Sequence, residues 1–424
     1  MRAVSVEDGI SVRVSERERG GLVVRSVAPE EFEGWVGATD AAFGREPRES
    51  GIEGLWALAE FDRTVAAFDG REMVGTANAF SRELTVPGGV LPAAAVTAVS
   101  VLPTHRRRGI LTRMMRHQLE DVRGRGEPLA VLGATDSGIY GRFGYGMAAE
   151  GVSFEIERDH AALSVEEQTP GRVRLVPAGE ALEIWPGVYD RVRRQTPGAL
   201  GRSWEWWENR GLPGVRHGGE KNPTERYAVY EDGGSGEASG YLRYRTERRW
   251  EDGLPRGELR IQELVSASSE AYAALWRYAF GVDLMATVRG TGRPVDEPLY
   301  WMLADPRRLR RKPSDSLWLR IVDVPAALAG RSYPAPGRLV LGVRDPFLPE
   351  VEGTYELAGG PDGGECRASR DEPDVVLGAA DLASVYLGGV SPSTLARAGR
   401  VRGSRTSLGV ADRMFAWNPR PWSP

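Results

Sequence analysis

The segment from Val99 to Gly124 constrains this chain more than any other. It begins Val-Ser-Val-Leu-Pro-Thr-His-Arg-Arg-Arg-Gly-Ile-Leu-Thr. Pro103 ends the extended run, because proline brings no N–H to a strand ladder. Ile110, Leu111, Met114, Met115, Leu119 and Val122 then recur on one face at 3.6-residue spacing. The spacing predicts a helix over 110–124, stopped by Gly124 and Gly126. A strand that passes through a basic turn into an amphipathic helix calls for an α/β domain. The free N–H groups of the first helical turn and the positive end of the helix dipole attract an anion. Arg106, Arg107 and Arg108 add guanidinium charge beside them. Gly109 has no Cβ, so the backbone can come close to a ligand. The turn is therefore an anion cradle suited to a pyrophosphate.

Composition decides what else such a turn could serve. Of 55 basic residues only Lys221 and Lys312 are lysines, and 59 acids offset the total to a net charge of -4. A near-neutral sum excludes a polyanion-binding surface over the whole protein. The basic run Arg307 to Lys312 is short, has no interleaved aromatics and sits beside Asp305 and Asp315, so no nucleic-acid partner is expected. Cys366 is the only cysteine, which excludes an internal disulfide framework and a cysteine-built zinc site. His105, His117, His160 and His217 match no ligand spacing, so no metal is expected. No stretch has the length of a signal-peptide core or a membrane helix. A cytoplasmic protein with no membrane partner is expected.

A chain of 424 residues has room for two to three domains. The first segment, 1–157, carries a helical pattern near Glu31 to Phe43, a strand at Thr64 to Asp69 and a hairpin-like pair across Met73 to Pro87. A strand at Val96 to Val101, the helix over 110–124 and a strand at Leu129 to Ala134 follow. The second segment, 158–300, opens on a helical cluster of Trp204, Trp206 and Trp207. It continues with strands at Arg226 to Glu231, Tyr241 to Glu247 and Glu258 to Val265, and a helix at Ser269 to Phe280. Strand, strand, strand, helix repeats the order of the first segment. The third segment, 301–424, shows strands at Gly337 to Val343 and Gly353 to Ala358. Short helices follow at Ala380 to Tyr386, Ser393 to Ala398 and Leu408 to Ala416.

Arg106-x-x-Gly109 after a strand resembles the pyrophosphate loop of the GNAT superfamily of N-acetyltransferases. That family's pattern is Arg/Gln-x-x-Gly-x-Gly/Ala, and Leu111 occupies the last position here. The block Val99-Ser-Val-x-Pro-Thr-His-Arg-Arg-Arg-Gly, with Ile139-Tyr-Gly-Arg-Phe-Gly-Tyr-Gly146, resembles the enhanced-intracellular-survival (Eis) subfamily. The resemblance implies an α/β (α+β) chain of tandem GNAT folds, the N-terminal one active and the central one degenerate, plus a C-terminal sterol-carrier-protein-like α/β domain. Glu263 to Glu270 has no arginine-glycine turn, so the central copy is not expected to bind a pyrophosphate. Pro373-Asp-Val-Val-Leu and Ala380-Asp-Leu-Ala-Ser-Val-Tyr-Leu-Gly-Gly389 fit the third domain.

The same resemblance implies the chemistry. Acetyl-CoA would lie along Val99, Ser100 and Val101, whose strand edge can pair with the pantetheine arm. Its pyrophosphate would sit on Arg107, Arg108, Gly109, Ile110, Leu111 and Thr112. Thr135 and Asp136, beyond the end of the next strand, would complete the site. Tyr140 matches the Eis-like tyrosine that acts as general acid, since a phenol can protonate a departing CoA thiolate. Tyr145 reads as structural. The resemblance assigns the general base to the C-terminal carboxylate, here Pro424, although the familiar ending is longer and finishes on an aromatic. Side-chain carboxylates near the cleft or water are the alternatives.

In related acetyltransferases the early helices line the acceptor cleft. Residues 29–53 hold Glu30, Glu31, Glu33, Asp40, Glu46, Glu49 and Glu53 with Trp35 and Phe43 among them. Such a wall suits a polycationic amine, such as an aminoglycoside, or a lysine-bearing peptide. The implied activity is an acetyl-CoA-dependent N-acetyltransferase acting on primary amines, assembled as a homohexamer. An acyl-CoA- or lipid-binding regulatory protein with a vestigial acetyltransferase site is the alternative.

Overall fold

The computed structural model describes residues 21–46, 51–164, 171–212 and 225–424. One twelve-stranded sheet is built from strands between Val23 and Ile321. Its first part uses β1 (Val23–Ser26), β2 (Thr64–Asp69), β3 (Glu72–Val86), β4 (Gly89–Val101), β5 (Leu129–Leu132) and β6 (Gly146–Glu157). Helices α1 (Phe32–Ala42), α2 (Ile52–Trp56), α3 (Ile110–Gly124) and α4 (Ser137–Tyr140) accompany them. The second part uses β7 (Arg172–Val176), β8 (Glu225–Glu231), β9 (Ala238–Glu247), β12 (Gly257–Ser266) and β13 (Met285–Arg293), and between β9 and β12 a separate two-stranded hairpin pairs β10 (Trp250–Glu251) with β11 (Leu254–Pro255). Helices α5 (Ala178–Arg193), α6 (Trp204–Trp206), α7 (Ser269–Gly281) and α8 (Leu299–Met302) belong to it.

The helix expected over 110–124 is α3, with Ile110, Met114, Met115, Leu119 and Val122 buried as the period requires. The hairpin expected within Met73 to Pro87 is instead one long strand. β3 runs unbroken to Val86, and the chain reverses at Pro87 and Gly88 to enter β4. Gly88 has φ +71, which a turn there needs and an L side chain resists. Nothing between Thr76 and Val86 supplies that freedom, so the reversal waits for residue 88.

The third segment contributes more to this sheet than its sequence suggests. β14 (Arg310–Ile321) seats between β5 and β6, antiparallel to both. β6 in turn pairs with β13 of the central copy. The two halves therefore exchange strands across one continuous sheet. The basic run is spent here: Arg310 reaches Glu155 (3.1 Å) and Glu157 (2.7 Å) on β6, and Arg308 pairs with Asp305.

After β14 the chain forms a separate five-stranded sheet. It comprises α9 (Val324–Ala329), β15 (Gly337–Arg344), β16 (Gly353–Gly360), β17 (Gly363–Ala368), β18 (Val375–Gly378), α10 (Ala379–Tyr386), α11 (Pro392–Arg397), β19 (Arg402–Gly403) and α12 (Arg405–Phe415). Its core is continuous with that under α3: Leu119, Leu129, Leu319, Leu341, Tyr386 and Phe415 belong to one buried cluster. The buried side chains each contribute roughly 1.5–3 kcal/mol on leaving water. The last domain is thereby fastened to the first by the hydrophobic effect.

Candidate functional site

Strands β4 and β5 create the site by parting. Their parallel pairing covers Ala93–Ala95 against Leu129–Val131 and goes no further. From Val96 onward β4 presents an unpaired edge on that side. Ala98, at φ +52, is a non-glycine residue in the left-handed region, and the β3–β4 register slips between Thr76 and Asn78 opposite it. This is a bulge, which re-aims backbone groups that a regular ladder would use. Thr76 Oγ1 donates to the Ala98 carbonyl (2.9 Å) and lies 2.7 Å from Ser100 Oγ, while Thr39 of α1 donates to Thr76 (3.1 Å). The strain is held by a buried hydroxyl chain.

Beyond β4 the basic turn enters α3. Arg107 (φ +65) and Gly109 (φ +78) both take left-handed backbone. Gly109 is the helix N-cap and supplies no side-chain acceptor, so the first-turn N–H groups remain open for an anion. At the end of β5, Asp136 caps α4 by accepting from the Gly138 N–H (2.9 Å). That short helix carries Tyr140.

These elements enclose a cavity of about 1100 Å³. Ten of the eleven residues expected to touch a cofactor line it: Val99, Ser100, Val101, Arg107, Gly109, Ile110, Leu111, Thr112, Thr135 and Asp136. Tyr140 lines it as well. Arg108 does not. It turns outward to Asp69 at the end of β2 (2.9 Å), where the local acid outcompetes the cavity. Arg106 takes its place on the wall, with its guanidinium near the Val101 and Ala42 carbonyls. Pro424 is also off the wall. Its oxygen accepts from Arg202 Nη2 (3.1 Å), and Arg202 is fixed by Glu263 (2.7 Å) and by the ring of Tyr189.

Tyr140 is 9% exposed, and burial, reinforced by the Asp136 charge, raises its phenol above the ordinary tyrosine range. It therefore keeps its proton at neutral pH. The turn after it is clamped from beneath. Tyr145 is fully buried edge-on to Tyr140. Phe143 meets Phe347 of the last domain at 4.9 Å. Gly144, at φ +80, lies against Arg320 of β14, whose partner is Asp345 in the last domain.

Among the described residues the acidic wall expected from residues 29–53 is not assembled. Among the described residues Asp40 alone of those acids reaches the cavity. Glu31 is turned to Arg25 (2.7 Å), and this pairing lowers its carboxyl to about 2. Glu49 lies outside the described residues. Arg45, Arg142 and Arg210 line the cavity instead. Arg142 stands inside the Ile139–Gly146 block and was legible there as part of a motif. Arg210 comes from the central copy and had no local signal. Among the described residues no group of three or more His, Cys, Asp or Glu side chains could hold a metal, and no helix is long and apolar enough to cross a membrane.

The acetyltransferase (GNAT) domain model matches residues 23–148, a second acetyltransferase (GNAT) domain model matches 198–321, and the sterol carrier protein domain model matches 324–424. An uncharacterized N-acetyltransferase of Streptomyces avermitilis is 40% identical over 95% of this chain and 98% of its own. The N-acetyltransferase Eis of Mycobacterium tuberculosis is 34% identical over 80% of this chain and 82% of its own. The crystal structure of Eis1 from Mycobacterium abscessus superimposes with a TM-score of 0.83 at 33% identity, covering 95% of this chain and 99% of that one.

Proposed function

Because the chain belongs to the Eis-like N-acetyltransferases of the GNAT superfamily, we propose that it transfers the acetyl group of acetyl-CoA to a primary amine, with Tyr140 as general acid. The observation that carries this reading is one cavity that joins an unpaired strand edge, an uncapped helix N-terminus and a buried phenol.

The residues present fit acetyl-CoA. The edge of β4 at Val99 to Val101 can pair with a peptide-like pantetheine arm. Arg106, Arg107 and the open N–H groups of α3 can hold a pyrophosphate. Leu111, where the family pattern has a small residue, packs partly against the core and leaves the Gly109 approach open. Bound there, acetyl-CoA supplies a thioester for direct attack by the amine nitrogen. Tyr140 holds a proton that it can give to the sulfur as the carbon–sulfur bond breaks. The proton lost from nitrogen passes to a carboxylate of the cavity wall or to water. Pro424 is not on that wall, so we do not assign it the base.

Release of CoA from acetyl-CoA in the presence of a primary amine is the test. Acetyl-CoA that binds without turnover over a broad amine panel would move the assignment to a binding protein. The pH profile adds a second check. An acid must be protonated to act, and the Tyr140 phenol is raised. The alkaline fall of kcat due to Tyr140 is therefore expected above about pH 10. A fall due to Tyr140 well below that would contradict the buried setting.

A further inference from the structure

We propose that Arg320 of β14, held by Asp345 of the last domain, is a positioning residue for the general acid: it fixes the turn that carries Tyr140. This rests on the acetyltransferase reading above and adds to it two residues that do not line the cavity. Tyr140 ends α4, and the chain turns back at once. The Gly144 N–H donates to the Gly141 carbonyl (3.1 Å) and the Tyr145 N–H to the Tyr140 carbonyl (3.3 Å). A shift of Gly144 or Tyr145 is therefore a shift of Tyr140. The Tyr145 ring also stands edge-on to the Tyr140 ring, with 5.9 Å between centroids. The buried Tyr145 hydroxyl has no hydrogen-bond partner among the described residues, so its polar end does not anchor the turn. Contact sets its place, and the contact is tight. A Cβ at Gly144 would fall within the Arg320 guanidinium, and one at Gly146 would meet the Ala380 carbonyl and Ser384 of α10.

The guanidinium is itself held in place. Arg320 is 0% exposed, and its Nη2 donates to Asp345, which is 1% exposed. Asp345 directly follows β15 and is fixed on both sides. Its other oxygen accepts from the Phe347 N–H (3.1 Å) and the Leu348 N–H (2.9 Å), and its own N–H donates to Glu352 (3.0 Å). The same loop brings Phe347 against Phe143 of the tyrosine turn. A buried ion pair adds little stability over an apolar pair of similar volume. What it supplies here is geometry, because a planar guanidinium is a flat, rigid surface that a flexible side chain does not reproduce. Proton transfer to the departing sulfur needs the phenol within hydrogen-bond reach, and a misplacement of about 1 Å can cost ~10²-fold. The last domain thus reaches the reaction through Asp345, Arg320 and the backbone of Gly144 and Tyr145.

The test replaces the pair in the full-length protein by a neutral one of similar size, Arg320→Met with Asp345→Asn, which leaves no unpaired buried charge. Single-turnover rates of acetyl transfer are measured with the best acceptor among neomycin, spermidine and Nα-acetyl-lysine amide. Calorimetry gives the acetyl-CoA affinity. The expected rate is lower by about 10- to 100-fold, with acetyl-CoA affinity within about twofold. In a Tyr140→Phe background the same double change should cost less than about threefold, because the acid it positions is gone. A purely structural lesion would lower the rate by the same factor in both backgrounds. Phe347→Leu keeps both charges and trims the ring that meets Phe143, and it decides the matter if the double variant does not fold. It should cost about threefold or more in the wild type and nothing in Tyr140→Phe. Wild-type rates in these variants, or equal losses in the two backgrounds, overturn the positioning role while the acetyltransferase reading stands. No turnover of any of the three amines by the wild type with acetyl-CoA bound, or wild-type turnover by Tyr140→Phe, overturns that reading instead.

Discussion

The two acetyltransferase-like copies share a strand–turn–helix plan and differ at the point where a ligand would enter. In the first, β4 and β5 part after Ala95 and the gap is the cavity. In the central copy β12 and β13 pair from Gly257 to Ile261 and then also separate. There the gap is bridged by the protein. Arg293 of β13 donates to the Leu264 carbonyl of β12 (2.6 Å) and is paired with Glu297 (3.0 Å). Glu297 accepts from Tyr272 of α7. Trp422, from the last residues of the chain, lies over Arg293 and donates to the Gly292 carbonyl (2.6 Å). The helix N-termini differ in the same sense. α3 starts on Gly109 with no side-chain cap, whereas Ser268 caps α7 by accepting from the Ala271 N–H (3.1 Å). A fold of this kind becomes a ligand site by leaving backbone groups unsatisfied, and becomes scaffold when its own side chains satisfy them.

The comparison can be attacked at four residues. Tyr140→Phe should lower turnover by ~10²–10⁴-fold, the usual range for a lost general acid, while acetyl-CoA affinity stays within twofold. Steady-state kinetics alongside equilibrium binding would check it, and wild-type turnover would remove Tyr140 from the mechanism. Arg293→Ala leaves Glu297 buried and unpaired, so the central copy should lose about 3–5 kcal/mol, read as an earlier urea midpoint. The variant should gain no affinity for acetyl-CoA, because Ser268 still caps α7. Gly109→Ala forces an L side chain into left-handed backbone and should cost about 1–2 kcal/mol. The loss should appear mainly as weaker acetyl-CoA binding by calorimetry. Ser268→Ala should cost ~1 kcal/mol of stability and leave acetyl-CoA binding untouched. Equal effects of the Gly109 and Ser268 substitutions on binding would erase the distinction between the copies.

Much of the first copy was legible in the sequence because its determinants are local. The basic turn, Gly109 and the apolar stripe of α3 lie within 26 residues, and the Tyr140 block follows shortly after. Arg108 is an instructive exception. Its position in the motif is adjacent to Arg107, yet Asp69, on a distant strand, draws it out of the cavity. The acids of residues 29–53 mislead for a similar reason. Composition records their charge but not the directions in which a helix and its partners send them, and Glu31 goes to Arg25.

The sequence by itself therefore determined the α/β plan, the anion-binding turn and the tyrosine, because backbone preference, helix period and dipole act over a few residues. The tertiary structure alone decided three things. It placed β14 between β5 and β6 and so set Arg320 and Asp345 beneath the tyrosine turn. It filled the central gap with Arg293 and Trp422. It put Arg45 beside Asp40 and brought Arg210 from the central copy to the cavity wall. Each depends on pairing or packing between segments far apart in the chain, whose meeting is fixed by the burial of a shared core and not by the identity of the residues that meet.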